Sequence, residues 1–424
     1  MDADATPKRP YEKIIIVGAG PAGLILALLL SHHNIPSLVL EAWPGLDTRL
    51  RATQYGVPAT RVFARAGILA EIREASIPSF PRITWRRVAD HAELAHLDMS
   101  CIADHPDRMT IMPLGEMIKI IYRHCVEESR GLVEVRFGHR VVGVGQDGGK
   151  AWVDIEVGEV RERRKIEADY VVGCDGGTST VRKSLFGRDW PGQTFDCQFI
   201  VQNIWYDGFE KYGWDGGNYM VDPGSWGLVA KRGKGGMWRV TMGDKPGYTE
   251  DEYLKRREAH IKRMLPGHPD PGDYRIGDTN MYKIHNRCVE SMRVGRVLLA
   301  ADAAHICNPM GGYGCMTAVV DVDGLADCLV GLYEGKAGEE ILDTYARVRR
   351  DIFLKYVDQR SIKNLNRVAK SDPWTVRDTD PFFELVRGYE HDVEKRKAFL
   401  LKVQSIEYDF KQHYTTPKNK SRST

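Results

Sequence analysis

One short segment near the start of the chain constrains the fold more than any other. Residues 13–17 form an apolar run rich in β-branched side chains, and the pattern Gly18-x-Gly20-x-x-Gly23 follows it directly. Residues 22–33 carry an apolar stretch that predicts a helix, and residues 37–41 predict a second buried strand. The segment therefore predicts a strand–helix–strand unit within a parallel sheet.

The glycine pattern at the start of this helix indicates a dinucleotide site. Its first glycine permits a tight turn, its second lets the backbone approach a pyrophosphate, and its third lets helix and strand pack closely. The first helical turn, which contains Ala22, offers free N–H groups and the positive end of the helix dipole to phosphates. Glu41 ends the second strand, where its carboxylate can accept hydrogen bonds from an adenosine ribose. The alternative is a strand–helix turn with incidental glycines.

A second match to the glycine pattern has a different meaning. Residues 143–148 are followed by a strand-like run, so they predict a hairpin turn without a helix N-terminus for phosphate. No other segment carries a credible motif of this type, and we expect no separate nicotinamide-binding domain.

Two aspartates follow further predicted strands. Residues 170–173 precede Asp175, and residues 296–300 precede Asp302. Because open α/β sheets bind ligands at the carboxyl ends of their strands, both carboxylates are expected at one crevice. The alternative for each is a helix-capping aspartate, and His305 is expected to pack at the junction of strand and helix.

A glycine-rich loop, residues 309–314, leads into a predicted helix over residues 314–332. Asp302 can accept a hydrogen bond from a ribityl hydroxyl. The positive end of the helix can lie at the pyrimidine edge of a flavin, where reduced flavin carries negative charge.

The remaining segments predict a second, mostly antiparallel region. Residues 81–99 predict a hairpin, residues 195–245 an antiparallel sheet, and residues 133–144 and 151–157 two strands. Predicted helices cover residues 117–128 and 253–264, and amphipathic helices follow from residue 341.

Composition excludes several classes of protein. The chain has 424 residues, 42% hydrophobic and 28% charged, so it can bury a large core. Its 60 basic and 58 acidic residues give no reason to expect nucleic acid or a polybasic membrane contact. The eight cysteines lack zinc-ligand spacing and are expected to be reduced thiols in the cytoplasm. Residues 1–11 do not match a signal peptide, and residues 416–424 predict a polar tail.

The three motifs together, in order and spacing over residues 12–350, resemble the single-component FAD-dependent aromatic hydroxylases of the para-hydroxybenzoate hydroxylase type. The resemblance implies an α/β fold with a Rossmann-like, glutathione-reductase-like FAD-binding domain. An α+β substrate domain with a mostly antiparallel sheet interleaves with it, and C-terminal helices follow. The implied segments are 1–80, 106–188 and 288–335 for FAD binding, 81–105 (a hairpin) and 189–287 for the substrate domain, and 336–424 for C-terminal helices and polar tail.

The resemblance also assigns cofactor contacts. It implies FAD, with NAD(P)H as co-substrate, and places Glu41 at the adenosine ribose, Arg51 at the pyrophosphate and Asp302 at the ribityl chain. Pro309, Gly314 and Met316 fall beside the flavin ring, and the Asp175 segment is linked to both FAD and NAD(P)H. The chain departs from the family pattern at Ala301, where a glycine is expected, and at Met316, where an asparagine is expected. A solvated loop arginine is the alternative for Arg51.

Two residues of the predicted sheet resemble substrate-binding positions of the hydroxybenzoate enzymes. Tyr219 falls at a tyrosine that hydrogen-bonds the substrate phenol, and Arg232 at an arginine that binds its carboxylate. The nearby serine of the pattern is Ala230 here. An exposed strand arginine is the alternative for Arg232.

The chemistry implied by the resemblance is hydroxylation of a phenolic or aromatic-acid substrate by a C4a-hydroperoxyflavin, with or without loss of CO₂. One alternative keeps the flavin but is an oxidase, dehydrogenase or epoxidase on a non-aromatic substrate. Another is a non-catalytic nucleotide-fold binding module. The expected partners are a small aromatic substrate, O₂ and NAD(P)H, with no nucleic acid, no metal and no transmembrane segment, and a homodimer is the one assembly considered.

Overall fold

Two large β-sheets of different strand direction organise the molecule. A computed structural model describes residues 11–49, 51–158, 160–233, 235–402 and 405–415. The predicted polar tail and all of the N-terminal segment except Tyr11 lie outside these residues.

The strands are, in chain order, β1 Ile14–Val17, β2 Ser37–Leu40, β3 Gln54–Tyr55, β4 Arg82–Arg87, β5 Glu93–Asp98, β6 Thr110–Ile111, β7 Val133–Arg136, β8 His139–Gln146, β9 Ala151–Val157, β10 Glu162–Ala168, β11 Tyr170–Gly173, β12 Gly192–Trp205, β13 Gly217–Val221, β14 Gly227–Lys231, β15 Met237–Asp244, β16 Arg275–Cys288, β17 Arg293–Val294, β18 Val297–Leu299 and β19 His305–Ile306.

The helices are α1 Pro21–Ser31, α2 Val57–Arg65, α3 Leu69–Ala75, α4 Leu114–Glu127, α5 Thr180–Phe186, α6 Gly208–Lys211, α7 Glu250–Met264, α8 Tyr313–Tyr333, α9 Glu340–Ile352, α10 Gln359–Ala369, α11 Val376–Thr379, α12 Pro381–Gly388 and α13 Val393–Lys402. A π-helical turn, Phe353–Asp358, joins α9 to α10, and a short 3₁₀ turn covers Ala301–Ala303.

The first sheet has the strand order β17-β18-β11-β1-β2-β7 and is parallel except for β17. Strands β1, β2 and β11 are buried at every position. Helix α1 packs against α4 and α8, and the antiparallel sheet β10-β9-β8 contacts β2 and β11. Burial on both faces explains why these strands appear in the sequence as unbroken apolar runs.

The second sheet has the order β19-β16-β12-β15-β14-β13-β4-β5 and is antiparallel except between β13 and β4. One face packs on α7 through residues such as Ile261 and Met264. The other face packs on the C-terminal helices through residues such as Phe383 and Leu400. Alternation along each strand separates the two faces.

The predicted hairpin at 81–99 and the helices predicted at 117–128, 253–264 and 314–332 are present. The second glycine pattern lies in a hairpin, as predicted: residues 143–146 end strand β8, and residues 147–150 form the turn to β9, where the N–H of Asp147 donates to the carbonyl of Lys150 at 2.9 Å. The single strand predicted over 133–144 is wrong, because Gly138, with a φ of +67°, breaks it into β7 and β8. Those two strands then enter different sheets.

Candidate functional site

Four neighbouring parallel strands end at one edge of the first sheet. The N–H of Cys174 donates to the carbonyl of Val17 at 2.8 Å, and the N–H of Ala300 donates to the carbonyl of Gly173 at 3.0 Å. At roughly 4.8 Å between strands, the four ends span about 14 Å. The strand order β18-β11-β1-β2 therefore places four predicted site residues along one crevice: Asp302, Asp175, Gly18 and Glu41.

The glycine turn is closed on its protein side and open on its crevice side. Gly18 has a φ of +106°, and a Cβ there would lie 2.5 Å from the carbonyl oxygen of Cys174. A Cβ on Gly23 would lie 2.1 Å from the carbonyl oxygen of Gly18. A Cβ on Gly20, in contrast, would meet nothing within 4 Å. The turn thus leaves space for a ligand at the start of α1.

The carboxylate of Glu41 is held in place by backbone. Its Oε2 accepts the N–H of Ala19 and its Oε1 accepts the N–H of Trp43, each at 2.9 Å. A carboxylate can accept about four hydrogen bonds, so each oxygen keeps capacity for a hydroxyl. This geometry suits a ribose whose hydroxyls approach from the crevice.

Two helices begin at this edge without a side-chain cap. Helix α1 starts at Pro21 and α8 starts after Gly312, and no side chain in the described part of the chain accepts their first N–H groups. A Cβ on Gly314, in the first turn of α8, would also meet open space. Free N–H groups and positive dipole ends favour negative groups at both places. The donor set therefore fits a dinucleotide whose phosphates and ring lie along the crevice.

Asp175 binds the first N–H groups of α5, the third helix that begins at this edge. Its Oδ1 accepts the hydroxyl of Ser179 at 2.5 Å, and its Oδ2 accepts the N–H groups of Thr180 at 2.7 Å and Val181 at 3.2 Å. These contacts match the capping alternative. Burial raises the pKa of Asp175, although the bonds from Ser179 and the backbone oppose that rise.

Arg182 of the same helix connects this turn to the next one. Its guanidinium donates to the carbonyl of Gly177 at 2.8 Å and to that of Ala303 at 3.2 Å. It also lies over the ring of Trp190, at 3.5 Å from the centroid. The turns that carry Asp175 and Asp302 are thereby tied to one another.

Asp302 lies in the crevice, open to solvent but surrounded by protein. The residue is exposed to solvent, but the protein around it desolvates the carboxylate and so raises the pKa of Asp302. His305 and Arg51 lower that pKa. Arg51 is half exposed and its guanidinium lies 3.6 Å from the carboxylate of Asp47. Arg51 is thus close enough to Asp302 to lower the pKa of its carboxyl.

The residues predicted beside a flavin ring differ in their orientation. Pro309 and Gly314 are partly exposed, whereas Met316 is 1% exposed and packs in the main core. Only backbone groups at residue 316 can therefore face a ring. His305 is buried and stacks on Phe353 at 4.3 Å, which confirms the expected packing role.

Tyr219 joins the second sheet to the loop before α8. Its ring stacks on Trp85, with 5.4 Å between centroids and 11° between planes. Its hydroxyl oxygen accepts a hydrogen bond from the backbone of Gly311. Burial raises the pKa of Tyr219, while Arg232 and the Gly311 bond lower it. Tyr219 is therefore a phenol that keeps its proton at neutral pH.

Arg232 follows β14 and is 4% exposed, so the alternative of an exposed strand arginine is wrong. It donates to Oε1 of Gln54 at 2.9 Å and lies 5.2 Å from the ring centroid of Phe80. Among the described residues, no carboxylate lies within ion-pair distance of it. Burial, with a contribution from Arg239, lowers the pKa of Arg232 to about 9. A buried cation without a counter-ion favours an anionic ligand.

Sequence reasoning missed Arg239, a second cation on the same face. Arg239 donates to Oδ1 of Asn203 at 3.2 Å and to the backbone carbonyl of Arg51. Burial lowers its pKa to about 10. The pairing of Ala230 with Arg239 across β14 and β15 puts it on this face, and the sequence does not show that pairing. Tyr55 and Tyr282 were also missed, and both interact electrostatically with it.

Other kinds of site receive no support within the described ranges. No group of three or more His, Cys, Asp or Glu side chains there could hold a metal ion. The helices of these ranges include none that combines the length and apolar character of a membrane span. All eight cysteines are described and are free thiols.

Comparison with known proteins gives a consistent result. A family model described as "FAD binding domain" matches residues 11–360. The para-nitrophenol 4-monooxygenase of Pseudomonas sp. (strain WBC-3) is 34% identical over 393 residues, which cover 91% of this chain and 96% of that protein. The 6-hydroxy-3-succinoylpyridine 3-monooxygenase HspB of Pseudomonas putida is 29% identical over 364 residues, or 85% of this chain and 90% of that protein.

A solved structure extends the likeness to the fold. The crystal structure of p-nitrophenol 4-monooxygenase PnpA from Pseudomonas putida DLL-E4 has a TM-score of 0.85 to this chain at 30% identity, covering 93% of this chain and 98% of that one. The predicted fold class, FAD cofactor and monooxygenase activity are thereby confirmed. The oxidase, dehydrogenase, epoxidase and binding-module alternatives are not favoured. The chain belongs to the FAD-binding family of flavin-dependent aromatic hydroxylases.

Proposed function

We propose that this enzyme hydroxylates a para-substituted phenol whose second substituent carries partly or fully negative oxygens, such as a nitro group or a carboxylate. The observation that carries the proposal is the guanidinium of Arg232, which is buried on the same sheet face as Tyr219 with no carboxylate of the described residues within ion-pair distance. A planar guanidinium can bind two oxygens of one group side by side. The similarity to proteins named for para-nitrophenol supports the same substrate shape.

The proposal assigns the first sheet to FAD and the second to the substrate. The turn of Gly18, Gly20, Ala22 and Gly23 would hold the pyrophosphate together with Arg51. Glu41 would bind the adenosine ribose and Asp302 the ribityl chain, while backbone groups from Pro309 to Met316 would face the ring. FAD, once reduced by NAD(P)H, supplies activation of O₂ for transfer of one oxygen atom to an aromatic ring.

The chain itself contributes orientation and charge. Arg232 would bind the nitro or carboxylate oxygens and so fix one end of the ring. Because the Tyr219 oxygen accepts the Gly311 N–H, its own proton is free to donate to the substrate's phenolic oxygen. A hydrogen bond there stabilises a phenolate, whose ring is more electron-rich. The stack of Tyr219 on Trp85 holds the hydroxyl in place.

The co-substrates are part of the proposal. A monooxygenase reduces the second oxygen atom to water, which needs two electrons from outside the substrate. NAD(P)H is the proposed donor. The Asp175 helix start and the Arg182 link lie next to the Asp302 turn, so a nicotinamide could approach along that side of the crevice.

The test compares matched phenols with the purified holoenzyme. Consumption of NADH and NADPH is measured with 4-nitrophenol, 4-hydroxybenzoate and the neutral 4-methylphenol, and products are analysed after reaction under ¹⁸O₂. Arg232→Met should raise KM about tenfold or more for the nitro and carboxylate substrates, because the loss of one charge-assisted hydrogen bond weakens binding by about that factor. The FAD content of the variant should be unchanged. Arg275→Met is the matched control, because Arg275 is an exposed arginine stacked 3.6 Å over Trp205.

An ¹⁸O atom in the product and a KM effect limited to the nitro-bearing and carboxylate-bearing substrates support the proposal. Equal effects of Arg232→Met on all three phenols would contradict the role of Arg232. Peroxide formation with no labelled product from any of them would contradict the proposed substrate class.

A further inference from the structure

A strained turn lies directly before Asp302. Ala301 has a φ of +59°, in the left-handed region that alanine rarely adopts. This residue stands where the related hydroxylase pattern has a glycine, which adopts such a φ without strain. The 3₁₀ turn Ala301–Ala303 starts here and determines where the carboxylate of Asp302 projects.

One buried carboxylate holds this turn. Oδ2 of Asp321, on α8, accepts the N–H of Ala301 at 3.0 Å. The same oxygen lies 2.8 Å from Nε2 of His305, at the other end of the turn. Asp321 and the turn are separated in the sequence and lie on different elements, so this contact exists only in the folded chain.

Asp321 is itself anchored on its far side. Nε of Arg349, on α9, donates to Oδ1 of Asp321 at 2.7 Å, and both side chains are fully buried. Arg349 also donates to the carbonyl of Ile406 at 2.5 Å. His305 stacks on Phe353, at 4.3 Å between ring centroids, and cannot swing away from the carboxylate. The carboxylate therefore has a fixed position from which to restrain the turn.

We propose that Asp321 is a positioning residue for FAD binding: it holds Ala301 in the left-handed conformation and thereby fixes the carboxylate of Asp302 in the crevice. The inference rests on the proposed contact between Asp302 and the ribityl chain. It assigns to Asp321 no contact with FAD, since its side chain is 0% exposed.

The test is a double-mutant cycle read by FAD affinity and thermal unfolding of the full chain. FAD is removed, and the dissociation constant is measured from flavin fluorescence for the wild type, Asp321→Asn, Ala301→Gly and the double variant. Asp321→Asn should weaken FAD binding about tenfold in the native background and less than about threefold when combined with Ala301→Gly. The reason is that glycine needs no support to adopt this φ.

A second series of variants separates the positioning role of Asp321 from a general loss of folding. Asp321→Asn leaves Arg349 without its counter-ion, so the same cycle is repeated with Arg349→Met in every variant. Asp302→Asn tests the underlying assignment: if it leaves FAD affinity unchanged, the role of Asp302 fails and this inference fails with it. If Asp302→Asn weakens binding but the loss from Asp321→Asn is the same with and without Ala301→Gly, the positioning role of Asp321 alone is overturned.

Discussion

The hydroxyl of Tyr219 accepts a hydrogen bond from the backbone of Gly311, which joins the second sheet to the loop that starts helix α8. Gly311 has a φ of +109°, and a Cβ there would lie 2.7 Å from the ring of Tyr313. The loop can therefore present its N–H to Tyr219 only as glycine. This contact brings the two halves of the proposed site together.

Tyr219→Phe should lower kcat about tenfold to a hundredfold while FAD stays bound. The variant removes the proton that we assign to the substrate's phenolic oxygen but keeps the stack on Trp85. Steady-state kinetics and the yield of hydroxylated product check it. Tyr212→Phe removes a hydroxyl from a half-exposed tyrosine at the end of α6 and should leave kcat unchanged. Equal kcat for Tyr219→Phe and wild type would exclude the hydroxyl from the reaction.

Gly18→Ala and Gly20→Ala should separate folding from cofactor binding. The first places a Cβ 2.5 Å from a carbonyl oxygen at a φ of +106°, so we expect a loss of about 3 kcal/mol in unfolding free energy. The second places a Cβ in open space, so stability should change by less than about 1 kcal/mol while FAD binding weakens. Urea unfolding and flavin titration measure both. Normal FAD affinity in Gly20→Ala would place the pyrophosphate elsewhere.

Asp302→Asn should stabilise the FAD-free protein at neutral pH and weaken FAD binding. Burial raises the pKa of Asp302 above the unfolded value of 3.8, so the folded state disfavours the ionised carboxylate. The resulting stability is present below pH 3.8 and is lost as pH rises through the folded pKa. The melting temperatures of wild type and variant should therefore differ more at pH 7 than at pH 3.5. A difference that does not depend on pH would indicate that lost packing, and not the charge, is the cause.

His260 should contribute to loss of stability in mild acid. It is buried beneath the second sheet, with Nδ1 3.0 Å from the hydroxyl of Ser225 and Nε2 3.3 Å from Asp244. Burial lowers its pKa below the unfolded value of 6.5, although Asp244 opposes the shift. The unfolded chain thus binds the proton first, and unfolding free energy falls as pH decreases below 6.5.

Urea unfolding at pH 7.5 and pH 5.5 checks this expectation for His260→Asn, whose side chain does not titrate. The variant should lose less stability between the two pH values than the wild type. His139→Asn, which removes a partly exposed histidine at the start of β8, serves as the control. An unchanged pH dependence in His260→Asn would assign the acid sensitivity to other groups.

Elements that are specified by a short, contiguous sequence pattern were predictable. Strand β1, the turn at Gly18, helix α1 and strand β2 are contiguous, and each is specified by its own apolar period and its own glycines. The same holds for the Asp175 and Asp302 segments, because a short buried strand followed by an acid and glycines is visible in the chain. Strand β10 was missed, since its highly charged sequence becomes a strand only through pairing with β9.

By itself, the sequence determined that a parallel sheet would carry three motif loops at one edge, because the motifs and the strands that end in them are adjacent in the chain. Tertiary structure alone decided that Arg232 is buried with no carboxylate of the described residues within ion-pair distance, that Arg239 lies on the same sheet face, and that Asp321 reaches the N–H of Ala301. An apolar period shows which face of an element is buried but not what packs against it. Charge compensation and backbone strain depend on those distant partners, and the fold assigns them.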